Sequence, residues 1–267
     1  MLEGKYKKRS FLKLPVSVDL PRLIEEYESI PDDAWASSYW GNVHCSVGML
    51  LLRGGTTGTE TDFYTEEIED HPPLKNLPYI SEIVGADGPF GGAKYAFMFR
   101  MLPNGVSQIH QDLREEWFNL YRTHIPIITN QDAVLISNDR SMHLSAGEVW
   151  TFDNQSLHGV VNGNTERVHL IFDVPLNDTM ASRIENAEFH EGVVNTEHNQ
   201  VIRAKTRSIP SYPGDEAMKK TIMQLKSYKW DNAKIAEFLN SRSVPTRTYN
   251  MKWTENEVSQ LLPAIFM

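Results

Sequence analysis

His110 and Asp112 stand two residues apart in SQIHQDL (107–113), and His158 follows Asp112 by 46 residues. Arg167 lies nine residues beyond His158. On a strand, side chains at i and i+2 point to one face, so His110 and Asp112 can both reach a single ion. His158 would complete the set from a distant strand. Two imidazoles and one carboxylate leave coordination positions open, and such a set suits non-haem Fe(II) that activates oxygen. An arginine at the end of the site offers a planar fork for a co-substrate carboxylate. An HxD pair alone is more often a surface turn or a hydrogen-bonded pair. The distant histidine, the arginine and the GEVWTFD stretch (147–153) are what give this pair weight.

The elements that must position these residues are short strands. From Lys94 the chain reads KYAFMFRML (94–102), VSQIHQ (106–111), RTHIPIIT (122–129), DAVLIS (132–137), GEVWTFD (147–153), HGVVN (158–162) and RVHLIFDVP (167–175). Turn residues separate them, as at Pro103-Asn104-Gly105 and Asn162-Gly163-Asn164. Short strands at near-regular spacing predict a mainly β sandwich or jelly roll. A parallel sheet would need intervening helices, and the sequence has none here.

Ahead of this block, NVHCSVGMLLLRGG (42–55) reads as a strand closed by a glycine turn, and 55–73 as a long acidic surface loop, a possible lid. LPRLIEEYESI (20–30) has helical spacing, with Leu20, Leu23, Ile24 and Tyr27 on one stripe. Residues 77–84 form a second short amphipathic segment. After Pro175 the strand signal fades, and 177–215 reads as polar and irregular. Three helical segments follow, at 215–228, 232–242 and 254–265.

Composition sets the remaining bounds. At 267 residues and 30.5 kDa, with 40% hydrophobic and 23% charged residues, the chain suits one large core plus a small appendage. We divide it into an oxygenase core, 1–199, and a helical C-terminal region, 200–267. The second part carries 11 basic and 6 acidic residues, or +5, which leaves −14 on the first from a total of −9. That balance argues against a chain-wide nucleic-acid surface. No apolar run approaches a membrane span, the basic N-terminus lacks the apolar core of a secretory signal, and the single cysteine fits a reducing compartment. The expected location is the cytoplasm.

The ordered elements HxD (110–112), RxH (122–124), GExWxFD (147–153) with a histidine soon after, and an arginine in RVHLIFD (167–173) resemble the aspartyl/asparaginyl β-hydroxylase and L-proline hydroxylase group of Fe(II)/2-oxoglutarate-dependent dioxygenases. The likeness covers roughly 35–175. It implies a double-stranded β-helix, with flanking N-terminal helices and a small helical C-terminal region. It also implies iron ligation by His110, Asp112 and His158, and a grip by Arg167 on the distal carboxylate of 2-oxoglutarate. His124 matches a histidine that assists that carboxylate in the aspartyl branch, while a core-histidine role is equally open. Arg122, on the same strand face, is a candidate for a co-substrate or substrate carboxylate, against an ion pair with Glu115 or Glu116. Peptidyl aspartyl members commonly lack the carboxylate ligand, so Asp112 moves the match toward enzymes acting on free proline. The implied reaction consumes O2 and 2-oxoglutarate, releases succinate and CO2, and hydroxylates an amino acid, free or within a peptide. A protein hydroxylase is the closest alternative.

Other residues read as structural. His169 alternates onto the Arg167 face, where a packed strand histidine is the simpler role. His143 reads as a loop residue, Trp117 and Trp150 as core aromatics, and Cys45 as a buried thiol. His44, His71, His190 and His198 have no partner at ligand spacing. The glycines near 54–58 and 85–92 are turns, since neither run has a phosphate-loop pattern. Residues 235–262 resemble the small helix-turn-helix modules of serine recombinases, with Ser243 in place of the usual glycine. Nucleic-acid binding through this region, with the barrel as a small-molecule sensor, is the alternative of another class; a role in covering the barrel edge is preferred.

Overall fold

The computed structural model describes residues 11–37, 47–55, 64, 67–112, 119–194, 215–241 and 253–262, and the elements below are those of the described residues. In chain order the strands are β1 (Phe11–Lys13), β2 (Ala36–Ser37), β3 (Val47–Gly54), β4 (Glu69–Asp70), β5 (Tyr95–Met101), β6 (Val106–His110), β7 (Leu120–Ile128), β8 (Val134–Ser137), β9 (Arg140–Met142), β10 (Trp150–Thr151), β11 (His158–Val161), β12 (Arg167–Pro175), β13 (Glu188–His190) and β14 (Val193–Val194). The helices are α1 (Leu20–Glu28), α2 (Pro78–Val84), α3 (Asp178–Glu185), α4 (Asp215–Ser227), α5 (Asn232–Ser241) and α6 (Glu255–Gln260).

The larger sheet runs β13-β1-β10-β7-β12-β5-β3-β2, with β4 paired to β3, and the smaller runs β14-β9-β8-β11-β6. Pairing is antiparallel throughout. From β5 to β12 the chain passes back and forth between the two sheets, so consecutive strands seldom pair with each other. That winding is the double-stranded β-helix expected from the strand-rich block.

Period-two alternation explains how one strand serves two environments. On β12, Val168, Leu170, Phe172 and Val174 enter one hydrophobic cluster with Leu23, Trp35, Ile80, Ile83 and Phe90. The alternate residues of β12, from Arg167 to Asp173, turn the other way, where Ile171 joins Phe97, Phe99, Leu135 and Val160 between the sheets. The same division runs through β7, whose Ile125 and Ile127 pack on the helix side. Phe90 and Phe172 are fully buried with ring centroids 4.9 Å apart. Burying each side chain of this size contributes about 1.5–3 kcal/mol.

The segment 177–194 departs from the expected irregular structure. Asn177 caps α3 by accepting from the Met180 amide at 2.7 Å, and Met180 and Ile184, one turn apart, are buried. β13 then pairs with β1 and β14 with β9, so tertiary pairing orders a polar stretch with little strand signal of its own. Arg140–Met142, which also carried no strand signal, is drawn into the small sheet by β8. The acidic loop is not wholly loop either, because Asp70 pairs with Arg53 through β4 and two bonds of 2.5 and 3.0 Å. α4–α6 follow the expected helical segments and share a cluster of their own, built on Ile222, Ile235, Leu239, Trp253 and Val258. The division at 199/200, Ser243, Cys45, Trp117, His44 and His198 lie outside the described residues. No described helix is long and apolar enough to cross a membrane.

Candidate metal centre

β6 and β11 are neighbours, and their register sets His110 directly opposite His158. β6 ends at His110, so Asp112 is not placed by strand alternation as the spacing suggested. Its amide instead donates to the Asn154 carbonyl at 3.0 Å, which holds the turn after β6 beside the turn before β11. Asp112 Oδ1 lies 3.7 Å from His110 Nε2 and Oδ2 lies 3.8 Å from His158 Nε2. One donor atom from each of the three residues falls within 4.8 Å of the others.

The imidazoles are oriented for ligation. His110 Nδ1–H donates to the Gln108 carbonyl at 2.7 Å and His158 Nδ1–H to the Ser156 carbonyl at 2.9 Å. A carbonyl only accepts, so each bond fixes the tautomer that presents an Nε2 lone pair toward Asp112. This backbone support is typical of metal-bound histidines. Burial, opposed by the Asp112 charge, brings His158 down to about 4. For Asp112, burial alone would raise the pKa, but Arg122 and the two histidines outweigh it and hold the group below its usual range. At neutral pH the His158 ring is neutral and Asp112 is ionised, the states in which each can ligate a metal.

Arg122 stands opposite Asp173 across β7 and β12. Its Nε and Nη2 each donate to Asp173 at 2.9 Å, while Nη1 donates to Asp112 Oδ2. Tyr64, from the acidic loop, places its hydroxyl 3.5 Å from Nη2. The arginine is thus engaged with Asp173 and Asp112; Glu115 and Glu116 lie outside the described residues.

Arg167 is buried, 3% exposed, and its Nη2 donates to His169 Nδ1 at 3.1 Å. Among the described residues no carboxylate pairs with it. Burial draws its pKa down to about 9, which leaves it cationic at neutral pH. His124 Nδ1 lies 3.5 Å from His169 Nδ1, and the Nε2 of each ring is buried without a hydrogen-bond partner among the described residues. Burial first, and Arg167 next, push both histidines well below the usual range. His169 is a buried strand residue, as expected, and touches Arg167 through this bond. Trp150 is a core aromatic, His143 Nδ1 contacts the Ala133 carbonyl, and His190 lies beside Glu188.

His110, His158, Arg122, His124 and Arg167 line one cavity between the sheets, with walls that include Phe97, Phe99, Met101, Leu135, Val160 and Ile171. Residues 54–176 match the family model described as aspartyl/asparaginyl beta-hydroxylase. This segment is thus similar to that family over slightly less than half of the chain. Among similar proteins, L-proline cis-4-hydroxylase of Rhizobium meliloti (strain 1021) is 25% identical over 177 residues, covering 65% of this chain and 63% of that protein. L-proline cis-3-hydroxylase 1 of a Streptomyces species is 28% identical over 152 residues, covering 54% of this chain and 47% of that protein. The chain therefore spans less than two thirds of the length of these relatives. Among solved structures, an oxidoreductase of the 2OG-Fe(II) oxygenase family from Burkholderia pseudomallei is 16% identical, with 66% of this chain and 88% of that one covered at a TM-score of 0.46.

Sequence reasoning did not single out Asp173 or Asn154. Asp173 had a signal: it lies six residues after Arg167 in an apolar strand, on the same face, where an acid needs a buried cation. Asn154 had none, because its contact with Asp112 depends on how two turns pack.

Proposed function

We propose that this chain is an Fe(II)- and 2-oxoglutarate-dependent dioxygenase that hydroxylates an unactivated C–H bond of an amino acid, with a free, proline-like amino acid favoured. Succinate and CO2 are the co-products. The observation that carries this reading is Arg167, a buried cation without an acidic partner among the described residues, lining the same cavity as His110 and His158. A guanidinium in that setting calls for an anionic ligand. The donor set fits Fe(II) in chemistry, with two oriented imidazoles and an ionised carboxylate within 4.8 Å.

When bound, Fe(II) and 2-oxoglutarate supply the oxygen activation and oxidative decarboxylation. The protein's share is placement. His110, Asp112 and His158 hold the metal from one side of the cavity. Arg167, braced by His169, grips the distal carboxylate, and His124 contributes a second polar contact. The aromatic and aliphatic walls exclude water and hold the substrate C–H bond toward the metal. The division at 199/200 assigns this work to the first part, and we read 200–267 as an accessory helical region. α6 opens with Glu255 and Glu257, an acidic turn poorly suited to phosphate.

The test is succinate formation from 2-oxoglutarate with a panel of free amino acids and peptides, with products read by mass spectrometry. Free proline or a close analogue is expected to couple turnover to a 16 Da mass gain, the mass of one oxygen atom. Hydroxylation of peptides alone moves the reading to a protein hydroxylase. No stimulation by any member, with Fe(II) affinity unchanged in His110→Ala, removes it.

A further inference from the structure

Three buried charged side chains beside the metal centre, Asp112, Arg122 and Asp173, form one linked unit. Arg122 reaches Asp173 with two parallel bonds of 2.9 Å, the paired fork geometry of a strong carboxylate contact. Its remaining terminal nitrogen turns to Asp112 Oδ2. Asn154 Nδ2 donates to the same oxygen at 2.9 Å. A carboxylate oxygen has two lone pairs, so these two donors fill Oδ2. Among the described residues, Oδ1 accepts no hydrogen bond and lies 3.7 Å from His110 Nε2. All three charged groups are buried, with Arg122 at 8%, Asp112 at 5% and Asp173 at 1% exposure.

We propose that Arg122, locked by Asp173, is a positioning residue for Asp112: with Asn154 it saturates Oδ2 and presents Oδ1 alone to the metal. This rests on the metal-centre reading above and narrows it. Arg122 lines the cavity, but each of its guanidinium nitrogens is already engaged by Asp173 or Asp112, so the carboxylate of an amino-acid substrate is recognised by other groups. Asp173 has a role of its own here. It supplies the second negative charge that fixes the guanidinium plane, and without it Arg122 would be free to swing toward an incoming anion.

The test measures binding of Co(II), as a redox-stable probe, and of 2-oxoglutarate to the full chain. Arg122→Met and the paired Arg122→Met/Asp173→Leu, which removes the Asp173 charge together with its partner, are compared with wild type. Asn154→Ala, which leaves the ion pair intact, is the third variant. Thermal melts establish the temperature at which each is folded. Expected are a loss of Co(II) affinity of about 10- to 100-fold when Arg122 is removed, as for other supports of a metal ligand, and a smaller loss for Asn154→Ala. Affinity for 2-oxoglutarate at saturating metal stays at the wild-type value, and Arg122→Lys recovers part of the Co(II) affinity. Unchanged Co(II) affinity in the folded variants, with a raised amino-acid KM, overturns the proposal and makes Arg122 a substrate grip. His110→Ala separates the two readings. If it binds Co(II) as wild type does, the metal centre itself is wrong, and the positioning role falls with it.

Discussion

His110 and His158 are cross-strand partners, with ring centroids 4.1 Å apart and planes tilted by 51°. Opposed positions on antiparallel strands bring side chains to about 5 Å, so one hydrogen-bonded register sets the separation of two ligands 48 positions apart in sequence. Replacing either by alanine is expected to abolish Fe(II) binding while leaving the two sheets folded. Metal titration with a parallel circular-dichroism melt checks both halves. Retained stoichiometric binding in either variant would count against the centre.

Gly159 controls that register. A Cβ there would come within 2.9 Å of the Ser107 carbonyl oxygen and of Ile109 Cδ1, at the irregularity where β11 meets β6. Ile109 can rotate away, but the backbone oxygen cannot. Gly159→Ala is therefore expected to push β6 from β11, destabilise the fold by about 1–3 kcal/mol and weaken metal binding, although no ligand is altered. Denaturant unfolding and Co(II) titration together report it, and a neutral outcome in both would show that the strands can separate at no cost.

Arg167→Met removes the buried cation that His169 braces. The KM for 2-oxoglutarate should rise at least about 30-fold, the equivalent of losing about 2 kcal/mol from a buried charge pair. Fe(II) affinity should stay near wild type, because Arg167 contacts none of the three ligands. The apo variant should be no less stable than wild type, since an uncompensated buried charge is removed. Steady-state kinetics and a melt of the metal-free protein decide this.

Three buried histidines make the metal-free protein acid-sensitive. His158 is held at about 4, and His124 and His169 lie well below their usual value. In the unfolded chain each titrates near 6.5. Between these limits the unfolded state binds more protons, so stability is full above about pH 6.5 and declines as pH falls toward 4. Asp112, with its depressed pKa, adds a loss at still lower pH. Melting temperatures of the metal-free protein should fall steadily from pH 7 to 5, and a flat profile across that range would contradict the burial of these rings.

Local pattern carried much of the architecture. β5, β7 and β12 were legible because β-branched or aromatic residues recur over seven to nine residues. α1, α2 and the C-terminal helices were legible from their apolar spacing. β9, β13 and β14 were not, being two or three residues long and ordered only by the strands they join. At the site, the types and order of His110, Asp112, His158 and Arg167 already implied the chemistry. Asp173 as a partner of Arg122 was not apparent, because it lies 51 positions away and meets Arg122 only across the sheet. Pairing across a sheet is a long-range fact that no local window contains.

The two-faced character of β12 constrains its length more tightly than its composition. A single inserted or deleted residue would turn Arg167, His169 and Asp173 into the apolar layer beneath α1 and α2, and drive leucine, phenylalanine and valine into the cavity. Substitutions at one position can be tolerated and compensated nearby, whereas a frame slip of one would cost the co-substrate grip, the partner of Arg122 and the core together. Variation in substrate range among proteins built this way must therefore come from the turns at the strand ends and from single side chains in the wall, with the strand itself held at constant length.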